Sequence, residues 1–288
     1  MDTSSGNIVY VIGAGFSAGL GFPTINSLLP NIWPRLQRAG TAAELCDIIR
    51  FHHPDFDPDK ADTFVNVERL LSEMKANEQL FEYSRPASGG FTKEELTARR
   101  QRFLLEMAKW FHGLKEDAIR SPPIWLTALA EQIKREKAQI ISFNWDLVLD
   151  ELLFGSTLDR RDYGFGARKP GPRLIKPHGS LNWFEYSTGR HLNADKKVLL
   201  TGEGERAIYA FKPYRAPHST RREYMPLIIP PVFNKEFAGR HFQTLWRKSV
   251  SILSSASDVR FLGYSLADAD FHARFILRCG FYNQEHGA

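Results

Sequence analysis

Residues 8–24 read IVYVIGAGFSAGLGFPT, a short apolar run that breaks into a glycine-rich turn and then a small-residue helix start. The run Ile8 to Ile12 fits a strand buried on both faces, because a parallel strand covered by helices needs no polar alternation. Gly13 and Gly15 stand where a tight turn and a close backbone approach are needed. A diphosphate fits that geometry: glycines let the main chain come near the anion, and N–H groups at the helix start point at its oxygens. The same turn also arises for purely steric reasons, so the rest of the chain must supply matching parts.

The length of 288 residues suits one large α/β domain or a domain with a sizeable insertion. A hydrophobic content of 43 % and a charged content of 25 % belong to a globular chain and set aside the disordered classes. No apolar stretch reaches bilayer length, and the N-terminal MDTSSGN lacks the basic start of a secretory signal, so no membrane partner is expected and a reducing cytoplasm is the default. Cys46 and Cys279 can build neither a disulfide framework nor a four-cysteine zinc site, and His52, His53 and His112 lack ligand partners at useful spacing, so no metal is expected. The net charge of +5 is compatible with nucleic-acid binding without demanding it. RRQR at 99–102 falls on a helical pattern as its solvated face. Arg215, Arg221 and Arg222 lie in a Pro-rich loop at 213–226 that could be a solvated loop, a partner surface or a lid.

From Pro23 to about Lys137 the chain reads as helical. Phe64, Val67, Leu70, Leu71 and Met74 fall at helical spacing, as do Phe103, Met107, Trp110, Phe111 and Leu114, and then Leu126, Leu129 and Ile133. Ser121-Pro122-Pro123 reads as a cap with proline in the first turn of the last of these helices. An insertion of this length, about 26–137, is too long for a simple crossover and is expected to form a subdomain over the site. After Gln139 come the strand QIISF, then Asn144-Trp145-Asp146 and the helix LVLDELLF. RLIK ends in Pro177-His178-Gly179-Ser180; KVLL, AIYAF and PLIIPP read as strands or extended connections. A helix with Phe242, Leu245, Trp246, Val250 and Leu253 on one face precedes a buried strand VRFLGY, and a last helix starts near Ala267 and ends at Cys279-Gly280. Polar residues thus sit just past the ends of apolar strands, the edge where open parallel sheets bind ligands. The expected fold is α/β, a Rossmann-like, mostly parallel sheet with a large helical insertion after the first strand.

Four pieces occur in order: GAGFSAGLGFPT at 13–24, SFNWD at 142–146, KPHGSLNW at 176–183 and FLGYSLADADFH at 261–272. This ordered set resembles the sirtuin-like NAD-hydrolysing domains of bacterial antiphage defence and, more distantly, the sirtuin deacylases, from residue 8 onward with the insertion least matched. The resemblance implies that Gly13, Ala14, Gly15 and Ser17 cradle the diphosphate and ribose of NAD+. It further implies that Asn144 and His178 are the catalytic pair, that Asp146 lies near the nicotinamide carboxamide, and that Gly263 and Ser265 contact the adenosine half. Two departures from the deacylases favour water over an acyl-lysine peptide as acceptor. Thr24-Ile25-Asn26 replaces their acidic-aromatic-arginine segment after the proline, and their four zinc cysteines are absent. Such a domain depletes cellular NAD+ once activated, so an activating partner protein, a fused sensor domain or a homo-oligomer is implied.

Bland readings stand beside these. Asp146 directly precedes a helical pattern and can be its N-cap. Asn144 can merely shape its turn. Phe16 and Phe22 can contact nicotinamide or pack in the core. Asp268 and Asp270 suit a helix start and are assigned no chemistry. A bulky residue at Gly13 or Gly15 is expected to weaken nucleotide binding more than turnover at saturation. Finally, YNQEHGA carries no apolar run, so the sheet is expected to lack a strand beyond GYSLADAD that is supplied elsewhere, unless KVLL or AIYAF fills that edge.

Overall fold

The computed structural model describes residues 7–80, 92–155, 158–185, 197–202, 207–211, 226–229, 239–266 and 270–286. Strand β1 (Ile8–Ile12) runs into the short helix α1 (Ala14–Ala18). Helices α2 (Ile25–Arg38), α3 (Ala42–His52), α4 (Val67–Leu80), α5 (Lys93–Arg120) and α6 (Ile124–Glu136) follow before β2 (Gln139–Ser142). Then come α7 (Val148–Phe154), β3 (Arg173–Ile175), the short strands β4 (Gly179–Ser180), β5 (Trp183–Glu185), β6 (Lys197–Thr201), β7 (Ile208–Phe211) and β8 (Leu227–Ile228). Helix α8 (Gly239–Ser254), strand β9 (Asp258–Leu262) and helix α9 (Phe271–His286) complete the order.

The main sheet has the order β3-β2-β1-β9 with every pairing parallel. The chain steps outward from β1 through β2 to β3, then returns to pair β9 on the other side of β1. The strand order therefore reverses at β1, and the C-terminal ends of β1 and β9 flank the position where open parallel sheets form a ligand crevice. β1 is buried on both faces, as its unbroken apolar run requires. Tyr10 and Ile12 enter the large core shared with α2 to α6, while Val9 and Val11 pack with Leu253, Ala273, Ile276 and Leu277 of α8 and α9. An α/β fold with helices on both faces and a helical stretch between the first two strands is the result. No helix among the described residues is long and apolar enough to cross a membrane.

Several sequence expectations change. Helix α6 starts after Ser121-Pro122-Pro123, with Pro123 extended at its N-cap (ψ 148°), so neither proline lies in its first turn. The arginines of RRQR are not a solvated face: Arg99 donates to the Glu44 carbonyl, Arg100 to the Glu78 carboxylate and Arg102 to Glu44, tying α5 to α3 and α4. VRFLGY is half exposed rather than buried, because β9 is an edge strand and Phe261 has 42 % of its surface in solvent. The last helix does not end at Gly280 but runs to His286. A Cβ on Gly280 would lie 2.4 Å from Leu253 Cβ, so this glycine permits close α8–α9 packing rather than a helix stop. KVLL and AIYAF are strands, but they pair antiparallel with each other, and AIYAF also with β5, in a separate sheet; neither covers β9, whose partner among the described residues is β1. The basic loop of 213–226 lies outside the described residues up to 225, as does PASGGFTK up to Phe91.

Candidate functional site

The crevice is closed by the backbone of two glycine loops. Gly13 N–H donates to Leu262 O at 3.0 Å and Gly15 N–H to Gly263 O at 2.8 Å, while Phe16 N–H turns back to Gly13 O at 3.0 Å. A Cβ on Gly13 would stand 2.6 Å from Tyr264 Cα, and one on Gly15 would stand 2.9 Å from Gly263 O. The glycines thus have a reason that needs no ligand: they let the loop after β1 and the loop after β9 touch. For Gly13→Val or Gly15→Val we accordingly expect a lower melting temperature; an unchanged melt for both would refute the packing role.

Onto this junction β2 delivers Asn144. Its Nδ2 donates to Gly13 O and to Ser17 Oγ, both at 2.9 Å. Ser17 is buried at the end of the glycine turn and donates to Asp146 Oδ2 at 2.6 Å. The other oxygen of Asp146 accepts from Val148 N–H at 3.1 Å in the turn that leads into α7. The N-cap of α7 is Leu147, not the expected Asp146, and its side chain makes no capping bond. Phe16 and Phe22 pack in the core, edge-on to Trp125 and Phe111 respectively. Ala14 lines the cleft; Gly263 (φ +61°) and Ser265 are exposed in the loop after β9.

His178 is buried in the turn after β3. That turn is pinned by Trp246 Nε1 donating to Pro177 O at 3.0 Å and by Ile229 N–H donating to His178 O at 2.8 Å. The Phe143 ring lies 5.0 Å from the His178 ring and 5.0 Å from that of Tyr264, so the ends of β2, β3 and β9 meet around one aromatic. Burial, with the charges of Asp270 and Glu68, holds the Tyr264 hydroxyl well above the usual phenol range, so it stays neutral at physiological pH. Directly behind His178, Lys176 is 1 % exposed and donates to Asp146 O (2.7 Å), Ser180 Oγ (2.8 Å) and Asp150 Oδ2 (3.2 Å). Asp150 also accepts from Tyr163 OH, and Asn182 Nδ2 donates to that hydroxyl at 3.1 Å.

The helical insertion reaches the same place. Glu68, at the start of α4, and Phe111 of α5 line a cleft with Ala14, Ser17, Asn144 and Asp146. The cleft encloses about 50 Å³. Sequence reasoning missed Glu68, Lys176 and Tyr264 as neighbours of the site. Lys176 alone carried a signal: a lysine closing an apolar strand directly before Pro-His-Gly. Among the described residues no cluster of His, Cys, Asp or Glu is suited to a metal ion. His53 instead pairs with Glu73 at 3.0 Å, and His52 bonds Asn77 at 2.8 Å.

No protein-family model and no curated protein matches the chain. A solved structure described as Sir2Tm bound to a propionylated peptide superposes with a TM-score of 0.38 at 14 % identity, over 95 % of this chain and 78 % of that one. The fold assignment rests on the strand order and pairing above.

Proposed function

We propose that the chain is an NAD+ glycohydrolase that converts NAD+ and water to ADP-ribose, nicotinamide and a proton. The observation that supports this most is the bond pair from Asn144 to Gly13 and Ser17, which unites two of the four ordered motifs at the crevice where the strand order reverses. The C1′–N bond of NAD+ breaks with its electron pair moving to the pyridinium nitrogen, so nicotinamide leaves neutral and needs no acid. Water then bonds to the cationic anomeric carbon. An imidazole near pH 7 can take its proton, which is the role we give His178. Asn144 orients a ribose hydroxyl or the water without titrating. Asp146, if ionised, favours the developing positive charge. Gly13, Ala14, Gly15 and Ser17 belong to the diphosphate and ribose side, and Gly263 and Ser265 to the adenosine side.

The cleft of about 50 Å³ beside Asn144 and Asp146 is far below the ~300 Å³ at which small-molecule pockets begin, so in this proposal it takes one end of the substrate only. The proposal includes activation by a partner protein, a fused sensor or self-assembly, in the manner of the NAD-depleting defence domains the chain resembles.

Nicotinamide release from NAD+ by the purified protein, alone and with acyl-lysine peptide, tests the reading. Release without peptide supports the hydrolase. Release only with peptide makes it a deacylase, and binding without release under triggering conditions makes it a sensor of NAD+ or ADP-ribose. Asn144→Ala and His178→Ala are each expected to lower turnover by ~10²-fold or more, with folded protein retained. Full turnover by either variant removes that residue from the mechanism.

A further inference from the structure

Asp270 precedes α9, and its two carboxylate oxygens face different things. Oδ1 accepts from Ala273 N–H at 3.1 Å, which caps the helix. Oδ2 lies 3.4 Å from His178 Nε2, and the two side chains are 7 % and 4 % exposed. A helix cap needs only a short polar side chain at the surface, where serine or asparagine serves as well. A buried carboxylate placed against an imidazole does more. It fixes the proton on the facing nitrogen, sets the ring's rotation and stabilises the ring once it is charged. The surroundings leave the ring little other freedom. Phe143 lies against it, and Gly179 beside it has φ +79° with the position of a Cβ only 2.1 Å from Leu227 O, so the turn that carries His178 cannot relax.

We propose that Asp270 is the positioning residue for His178, holding its proton on Nε2 and fixing the rotation of the ring. Its role rests on the glycohydrolase reading for its kinetic consequence, though not for its structural one. The two loops concerned, after β3 and before α9, are 92 residues apart in sequence, and the carboxylate is what joins their side chains.

Asp270→Asn tests this cleanly, because asparagine caps a helix as well as aspartate does while losing the negative charge. The variant is expected to melt within about 2 °C of wild type, to bind NAD+ with an unchanged dissociation constant, and to lose kcat by ~10²-fold. Added to His178→Ala it should cost nothing further, since the pair acts as a unit. Wild-type kcat in Asp270→Asn, or an additive loss in the double variant, overturns the proposal. A second readout does not depend on turnover. In ¹⁵N-histidine spectra, with His178 assigned through His178→Ala, the wild-type ring should be the Nε2–H tautomer and Asp270→Asn should shift it toward a mixture. An unchanged tautomer also overturns the proposal. Absence of nicotinamide release by wild type under triggering conditions would sink the hydrolase reading and leave this spectroscopic test standing.

Discussion

Gly263→Ala is expected to lower stability by ~4 kcal/mol or more, on the order of 10 °C in melting temperature. Two costs combine. Gly263 has φ +61°, a left-handed conformation that costs an L-residue ~1 kcal/mol or more. The added Cβ would also fall 1.9 Å from Phe16 N and 2.4 Å from Gly15 C, backbone atoms that cannot rotate away. The loop after β9 would have to part from the loop after β1, breaking the Gly15–Gly263 bond and uncoupling Asn144 from its acceptor on Gly13. Gly40→Ala is the control: φ is +74° but nothing lies within 4 Å, so it should show the conformational cost alone. Thermal melts decide the matter. Equal losses at positions 40 and 263 would mean that the loops yield freely and that the close approach is unimportant.

Lys176→Met should cost ~3–5 kcal/mol by stranding charge in the interior. The ammonium joins Asp150, Ser180 and the Asp146 carbonyl, all buried. Methionine fills the space but leaves the carboxylate of Asp150 with Tyr163 alone and the carbonyl without its donor. Burial already pushes the Asp150 carboxyl above its ordinary 3.8, and the lysine is the main force opposing that rise. Without it the folded-state value climbs further above the unfolded one. A group so raised stabilises the fold below its unfolded pKa and loses that contribution as pH rises through the folded pKa, because the native state binds the extra proton. Lys176→Met should therefore lose stability relative to wild type as pH rises from the ordinary carboxylate range through the raised folded-state value, and adding Asp150→Asn should abolish that slope. Parallel pH profiles for wild type and Lys176→Met in denaturant titrations would show that the pair is not coupled.

The strand–turn start was legible because β1 lies at the centre of the sheet, where burial on both faces writes an uninterrupted apolar run into the sequence. Motifs at strand ends were legible for a related reason: glycine, proline and small polar residues crowd where backbones touch. What the sequence hid is mostly pairwise. Nothing local to Arg100 says that Glu78 waits across the helix pair. Glu68 looks like an ordinary first-turn acid until α4 is laid against the sheet edge. Asp270 is a helix-start carboxylate in sequence, and only its second oxygen, facing His178, tells otherwise. Gly280 misled for a different reason, since the same residue ends helices and lets them pack closely. The distinguishing neighbour, Leu253, is a tertiary fact. The exposure of Phe261 likewise depends on which strand stands at the sheet's edge.

Each residue of β1 pairs with the residue 250 positions later in β9, since Ile8 faces Asp258 and Ile12 faces Leu262. On a ribosome adding 5–20 residues per second, β1 therefore waits roughly 12–50 s for that neighbour to be made. During the wait β1 can pair with β2 on one side only, with its other edge open and the glycine turn unanchored. Closing so long a loop is entropically costly, and topologies of this kind fold slowly. The catalytic geometry proposed here would thus form only after β9 has been made. A nascent chain would carry no functional crevice until that strand had emerged.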